Sequence, residues 1–218
     1  MSRLNVCTIV ALSALSMTPS GATAQGRVEL VPVIGSYLPM GGFSKLTTSS
    51  GSATFRQTIG VLGGLRLAFG VSPTTTIDVG GMYINTGWRQ DLSSVQSSFN
   101  SVGLSTTGRA LLSTARFSFR PRRSNLYVLA GGGYMVRGGD AWNEKNFNTI
   151  TFKKSNPVGV VGFGLRAPGT SRFTILVDAE LLLYSVDKVN GPTFFGTTNS
   201  FHKDLIVSVG IPLALTRP

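Results

Sequence analysis

The sequence contains almost no cysteine or histidine and few acidic residues, and each scarcity limits the chemistry available to the protein. Cys7 is the only cysteine and His202 the only histidine among 218 residues. Because Cys7 lies in an N-terminal segment that we predict to be removed, disulfides, thiolate nucleophiles and cysteine metal sites are excluded. A phosphate-binding loop of the GxxxxGKS or GxxxxGKT type is also missing. The sequence therefore predicts no metal site and no cofactor.

Long apolar runs are missing beyond the N-terminal region. No segment after residue 25 approaches the roughly 18 uninterrupted apolar residues that a transmembrane helix requires. The hydrophobic fraction is nevertheless 42%. A membrane protein of this kind must be a closed β-barrel, because only closure satisfies every backbone amide in lipid.

The first 24 residues have the three parts of a secretory signal peptide. Arg3 supplies a positive charge, residues 6–17 (VCTIVALSALSM) form a short apolar core, and an A-x-A cleavage signal precedes Gln25. We therefore predict a cleaved signal peptide at residues 1–24 and one exported domain at residues 25–218. The apolar core is too short for a membrane anchor, and the position of Cys7 within it argues against a lipoprotein.

Basic residues outnumber acidic ones by 20 to 9, which gives a net charge of +11. Nucleic acid is one partner for such a chain, but an exported protein rarely meets it, and we predict no nucleic-acid binding. A basic exported barrel is expected instead to meet lipid phosphates or anionic surface polymers.

Residues 104–138 predict two long antiparallel strands joined by a tight turn. In the first strand Leu111 and Phe117 share one face while Leu112 and Arg116 share the other, a period of about two that is typical of a strand. The connecting PRRSN is compact and polar. Each arm has about 11 residues or more, the length that a tilted strand needs to cross a bilayer.

The same alternation recurs along the chain and predicts eight strands. Their ranges are 28–38, 57–69, 76–85, 104–120, 126–138, 157–167, 173–184 and 203–213. Long polar connections alternate with short turns, and Pro32 in the first strand is expected to need a local bulge. This arrangement predicts an all-β fold, an eight-stranded antiparallel up-and-down transmembrane β-barrel with short turns and both termini on one side.

Several segments resemble the small outer-membrane β-barrel superfamily typified by the OmpA transmembrane domain and OmpX. They are the glycine-rich strands IGVLGGLRLAFG and YVLAGGGYMVRG and the closing strand HKDLIVSVGI. The resemblance implies the outer membrane of a Gram-negative cell envelope and insertion by the barrel-assembly machinery. Members usually end on an aromatic residue that this machinery recognises, whereas the present sequence ends ALTRP.

Charged residues occupy the strand faces that we predict to point inward. They are Glu29, Arg66, Asp78, Arg116, Arg137, Arg166, Asp178 and Glu180. Charges of both signs in so narrow an interior should pair, because an unpaired buried charge is very costly. The main interpretation is a salt-bridge network that fills the lumen. The alternative is a gated, narrow ion channel, although an eight-stranded interior is ordinarily too tight for solutes.

Aromatic residues on outward faces or near strand ends predict girdles at the two lipid interfaces. They are Phe69, Tyr83, Phe117, Phe119, Tyr134, Phe163, Phe173 and Tyr184. Arg120, Arg122 and Arg123 at the short turn are expected among lipid headgroups. Basic residues expected in the long loops or at their bases could contact lipopolysaccharide phosphates or be solvated; they are Lys45, Arg56, Arg89, Lys145, Lys153, Lys154, Lys188 and Lys203.

The function predicted from these patterns is non-enzymatic and surface-exposed: adhesion, envelope integrity or lipid interaction through four long loops, by a monomer. A lipid A-modifying enzyme is an alternative, since His202 lies two residues from both Ser200 and Asp204 on one strand face. A soluble lipocalin-like barrel is the architectural alternative. It would place apolar residues inside and polar ones outside, and the inward charges argue against it.

Overall fold

The structure is a computed structural model. It describes residues 26–48, 51–94, 104–139, 151–152, 155–168, 174–185, 188–190 and 201–216. The predicted signal peptide lies outside these ranges, and its cleavage stays a prediction. Within them, no helix has the length and apolar character needed to cross a membrane.

Thirteen strands are formed in the described residues. They are β1 (Val28–Pro39), β2 (Gly42–Thr48), β3 (Gly51–Gln57), β4 (Gly60–Ser72), β5 (Thr75–Ser94), β6 (Leu104–Phe119), β7 (Leu126–Gly138), β8 (Thr151–Phe152), β9 (Ser155–Pro168), β10 (Thr174–Ser185), β11 (Lys188–Asn190), β12 (Phe201–Gly210) and β13 (Leu213–Ala214).

Eight of these strands close into an antiparallel barrel, so the predicted fold class is confirmed. The order around the wall is β1, β4, β5, β6, β7, β9, β10 and β12. The barrel closes because β1 pairs with β4 on one side and with β12 on the other. Each of these strands pairs with its neighbours in chain order, which gives the up-and-down topology.

The closing seam contains the proline that was expected to need a bulge. No bulge occurs there: the β1–β4 register runs without a shift through Pro32, which lies opposite Leu65. The ladder on the β12 side is interrupted instead, between Gly210 and Leu213, where Pro212 ends the strand. Pro32 still accepts a hydrogen bond from the Ile211 amide at 3.2 Å. Proline has no backbone N–H to donate to a neighbouring strand. Both prolines lie where the β1–β12 ladder is interrupted, so the missing donors cost little.

The wall is taller on one side than the sequence predicts. The first predicted loop contains the hairpin β2–β3, and β5 continues to Ser94 although its strand was predicted to end at Asn85. The extension of β5 pairs with β3 on one side and with β6 on the other. We call β2, β3, residues 86–94 of β5 and residues 104–109 of β6 the outer sheet. Lys45, Arg56 and Arg89, expected in or beside loops, lie in its strands.

The outward face of the barrel is apolar. Ile34 is 71% exposed, Val61 65% and Phe163 63%, and similar side chains continue around the wall. Buried inside are both aliphatic side chains and charged ones. This distribution is the inverse of a lipocalin-like barrel and is the one that a lipid-facing wall requires.

Most of the predicted girdle aromatics do lie on this outward face. Phe69, Tyr83, Phe117, Phe119, Tyr134 and Phe163 are all exposed. Tyr184 was predicted wrongly: it is only 3% exposed and points into the lumen. Its position follows from the alternation in β10, because Tyr184 shares a face with Glu180 and Leu182. Phe173 lies outside the described residues.

Candidate functional site

The charged part of the lumen lies toward the end of the barrel where β1 begins, β13 ends and the short turns after β4 and β6 are found. Arg66 donates to Asp178 Oδ2 at 2.5 Å and to Glu180 Oε1 at 2.7 Å. Arg116 donates to the same Glu180 oxygen at 2.6 Å, and its Nη2 lies 3.5 Å from Asp78 Oδ2. The Tyr127 hydroxyl donates to the other oxygen of Asp178. We call these six residues the ionic network.

Glycines on neighbouring strands make room for these side chains. Gly80 lies opposite Arg66 and Gly131 opposite Arg116. A Cβ atom added at Gly80 would lie 2.8 Å from Cγ of Arg66. One added at Gly131 would lie 2.7 Å from Cα of Arg116, closer than real Cβ contacts allow. The glycine-rich strands are therefore a packing requirement of the charged lumen.

The centre of the ionic network is almost completely shielded from water. The side chains of Arg66 and Arg116 are 2% and 3% exposed, and that of Glu180 is 0% exposed. Burial of charges costs several kcal/mol per ion unless the partners are close and hydrogen-bonded. Here two guanidinium groups clamp Glu180 and also reach Asp178. The ionic network links five strands of the wall, β4, β5, β6, β7 and β10, through the lumen.

A second ion pair lies nearer the short-turn end. Glu29 Oε1 accepts from Arg27 at 2.7 Å and from Arg166 at 3.0 Å. The two predicted residues Glu29 and Arg166 thus face inward and pair with each other. Arg166 is a quarter exposed, so this pair forms the rim of the lumen.

An apolar layer separates the ionic network from the long-loop end. Along β5 the inward positions change from Asp78 through Gly80 to Met82 and Ile84, and the same change occurs along β6 at Leu112. The layer consists of Val33, Leu62, Met82, Ile84, Leu112, Met135, Val158, Val160, Leu182 and Ile206, all buried. It fills the middle of the lumen.

A further polar cluster lies above the apolar layer. Asp204 accepts hydrogen bonds from the hydroxyls of Tyr37 and Tyr184. The Arg137 guanidinium lies 4.5 Å from the centre of the Tyr184 ring and donates to Asn156 Oδ1 at 2.8 Å. We call these residues the outer cluster, together with Gln57, which lies 3.1 Å from the Tyr37 hydroxyl, and His202.

Five of the eight predicted lumen residues lie in the ionic network, Glu29 and Arg166 pair beside it at the rim, and Arg137 lies apart. Arg137 was expected in a single network, but it belongs to the outer cluster on the far side of the apolar layer. Sequence reasoning also missed Tyr37 and Tyr127, which donate to the buried carboxylates. The alternation of the sequence could have identified both tyrosines, because each lies at an inward-facing position of its strand.

His202 has the surroundings of a packed residue. It is 5% exposed, and its ring stacks on that of Tyr184 with centroids 5.5 Å apart and an interplanar angle of 18°. Asp204, its proposed catalytic partner, accepts hydrogen bonds from two tyrosine hydroxyls. Ser200 lies outside the described residues. In the described part of the chain, no group of three or more His, Cys, Asp or Glu side chains could hold a metal.

No family model matches the chain, and no curated protein matches it. Among solved structures it is similar to the outer membrane protein OprG from Pseudomonas aeruginosa, with a TM-score of 0.51 and 11% identity over 86% of this chain and 96% of that chain. The translocator domain of the autotransporter NalP from Neisseria meningitidis gives a TM-score of only 0.33 at 12% identity, over 94% of each chain.

The likeness to OprG bears on the fold alone. It agrees with the eight-stranded barrel found here, and the apolar outward face is what a bilayer requires of such a barrel. Together these observations point to the cell outer membrane.

Proposed function

We propose that the protein is a non-enzymatic outer-membrane barrel with a closed lumen, whose role is structural and exposed at the cell surface. The observation that carries this proposal is the apolar layer. Met82, Leu112, Met135, Leu182 and Ile206 are each 0% or 1% exposed. Ions would have to cross this layer without hydration, which is costly in a dry, apolar environment.

The outer sheet supports the surface role. It continues the wall beyond the point where β1 and β4 end their pairing at Tyr37 and Gly60. Its strands carry mainly Ser, Thr and charged residues, as in GSATFRQ and TTGR. Such a platform could hold the long loops in adhesion, envelope integrity or lipid contact, the three roles that we propose for it.

The partners follow from the location. We propose that the apolar belt contacts outer-membrane lipid, that basic loop residues contact lipopolysaccharide, and that the barrel-assembly machinery inserts the chain. We also propose a monomer, because the described barrel closes on itself and leaves no wall strand for a second copy to complete.

Conductance in planar bilayers tests the closed lumen. We expect purified wild-type protein to give no channel events above the empty bilayer in potassium chloride. The Leu112→Gly/Met135→Gly variant removes part of the apolar layer and should conduct if its lumen stays folded, whereas Leu111→Gly, on the lipid-facing side of the same strand, should not. Steady wild-type conductance that is lost in Arg116→Ala or Glu180→Ala would favour the narrow channel and refute the proposal.

Lipid analysis tests the enzyme alternative. Membranes with and without the expressed protein should contain the same lipid A, and His202→Ala should change nothing. A modified lipid A that disappears with His202→Ala would show catalysis.

Loss of surface adhesion or of detergent resistance in a deletion strain, restored by the wild-type chain, would support the surface role.

A further inference from the structure

The lumen contains a cavity of about 70 Å³ between the ionic network and the short-turn end. A water molecule needs roughly 10–15 Å³ by this measure, so the space suits a group of roughly five heavy atoms. The cavity reaches the turn between β4 and β5 at Pro73 and Thr74. Hydroxyl-bearing and arginine side chains form much of its wall: Thr74, Thr76, Ser118, Arg120, Tyr127 and Arg166.

The carboxylates in the cavity wall already have cationic partners. Glu29 lies between Arg27 and Arg166, and Asp178 is bonded to Arg66 and to the Tyr127 hydroxyl. The remaining carboxylate, Asp78, faces Arg116 at 3.5 Å. Together with Glu180 behind the wall, these carboxylates are matched by four arginines: Arg27, Arg66, Arg116 and Arg166.

Arg120 supplies a positive charge that the wall does not neutralise. It follows β6 on the inward-facing alternation of Arg116 and Ser118, and its amide donates to the Thr74 carbonyl at 2.7 Å. This backbone hydrogen bond holds the Cα and Cβ atoms of Arg120 beside the cavity. Among the residues that the structure describes, the Arg120 guanidinium has no hydrogen bond or ion pair of its own.

The surroundings strengthen the positive field. Arg122 and Arg123 are exposed in the same turn, and Arg123 has a φ of 65°. Glu29 is the only acidic residue among the described residues of this rim. Phe119, 44% exposed on the outward face, directly precedes Arg120. Since exposed aromatic residues of membrane proteins concentrate at the lipid interfaces, we expect the cavity mouth to lie near the level of the headgroup phosphates.

We propose that this cavity binds a phosphate group, with Arg120 as the principal ligand and Arg166 and the wall hydroxyls as further donors. Arginine presents a planar fork of donors that matches phosphate oxygens, and hydroxyls can satisfy the oxygens that remain. Two sources offer this chemistry at the end expected to face the periplasm. One is the headgroup of an anionic phospholipid, and the other is free inorganic phosphate.

The test uses the full barrel folded in dodecyl maltoside, a detergent without phosphate, at constant ionic strength. Inorganic phosphate and dihexanoyl-phosphatidylglycerol are titrated separately while the arginine side-chain Nε–Hε signals are followed by NMR. We expect a saturable shift of the Arg120 signal with at least one of them. The titrant that binds more tightly identifies the source.

Two charge-matched variants decide whether Arg120 is responsible. Hydrogen bonds to charged groups are strong enough that Arg120→Gln should weaken binding about tenfold or more. Arg109→Gln removes the same charge from an exposed position at the other end of β6 and should change affinity less than about twofold. Both must keep the heat-dependent gel shift of a folded barrel. No saturable shift with either titrant, or equal weakening by the two variants, would overturn the proposal.

Discussion

At the scale of single residues, the lumen works as a set of matched large and small side chains. The two arginines at the centre of the ionic network lie across from glycines, Arg66 from Gly80 and Arg116 from Gly131. The carboxylate between the two arginines has no exposed surface. The cost of altering a residue therefore depends on which face of the wall it occupies.

Replacement of Glu180 should be among the most destabilising changes in the lumen. Glu180→Gln removes the carboxylate that Arg66 and Arg116 contact at 2.7 and 2.6 Å and leaves Asp178 as the only charged group that both of them reach among the described residues. Breaking such a buried pair costs about 3–5 kcal/mol. The free energy of unfolding in urea, measured in lipid vesicles by tryptophan fluorescence, gives the effect. Arg109→Gln, at an exposed position, should change it by less than about 0.5 kcal/mol. Equal effects of the two changes would show that the ionic network does not stabilise the barrel.

Two adjacent glycines in β5 give a direct test of the packing. At Gly80 an added methyl meets Arg66 and the Leu65 carbonyl, whereas at Gly81 the nearest atom is the Leu112 carbonyl oxygen at 4.0 Å. Gly80→Ala should therefore lower the free energy of unfolding by about 1–3 kcal/mol, the usual cost of overpacking. Gly81→Ala should be close to neutral in the same urea titration. If the larger loss occurs at Gly81, the inward assignment of Gly80 is wrong.

At the scale of elements, the barrel strands were predictable and the outer sheet was not. Alternation in segments such as β7 reflects lipid on one side and a packed lumen on the other, so the pattern is readable in the sequence. Beyond the bilayer a strand has no lipid-facing side, so neither of its faces needs to be apolar. The alternation then disappears, as in residues 86–94 of β5, and the segment is indistinguishable from a loop.

The candidate site was predictable only in part, for a geometric reason. Alternation indicates that Arg66 and Glu180 both point inward. It does not indicate that they meet, because β4 and β10 are not neighbours and the stagger of the strands sets their relative height. The same stagger places Arg137 in the outer cluster, on the other side of the apolar layer from the ionic network. Pairing across a lumen is thus a property of the closed barrel and cannot be read from any one strand.

Removal of the β2–β3 hairpin should separate the outer sheet from the barrel. A variant in which two glycines replace residues 43–55 keeps every ladder of the closed wall, because β4 pairs with β1 and β5 only from Gly60 onward. We expect it to fold and to retain a heat-dependent shift on gels. It should lose protection from hydrogen exchange in residues 91–94 of β5, which pair with the deleted residues 51–54 of β3 and lie beyond the last pair with β6 at Gln90 and Leu104. A variant that no longer folds would show that the outer sheet is required for barrel closure.

At the scale of the whole molecule, the distribution of apolar surface requires a lipid environment. Side chains such as Ile34, Ile59 and Val61 are 71%, 70% and 65% exposed, and they continue around the closed wall. Soluble monomers rarely expose contiguous apolar surface on this scale. The lumen, in contrast, is filled by two polar clusters and the apolar layer between them. Packing in the lumen therefore stabilises the fold, and lipid is needed to cover the apolar outer face.

Electrophoresis in sodium dodecyl sulfate, with boiled and unboiled membrane fractions, tests both the stability of the packed lumen and the membrane location of the barrel. A closed barrel with a filled lumen should resist the detergent when unboiled and run as a compact species that shifts on boiling. Leu112→Asp buries an unpaired charge in the apolar layer, at a cost large enough to abolish the compact species. Leu111→Ala, on the lipid-facing side of the same strand, should keep it. A wild-type protein found in the soluble fraction without any shift would instead indicate a barrel that works in water, and the outward apolar face would then need another partner.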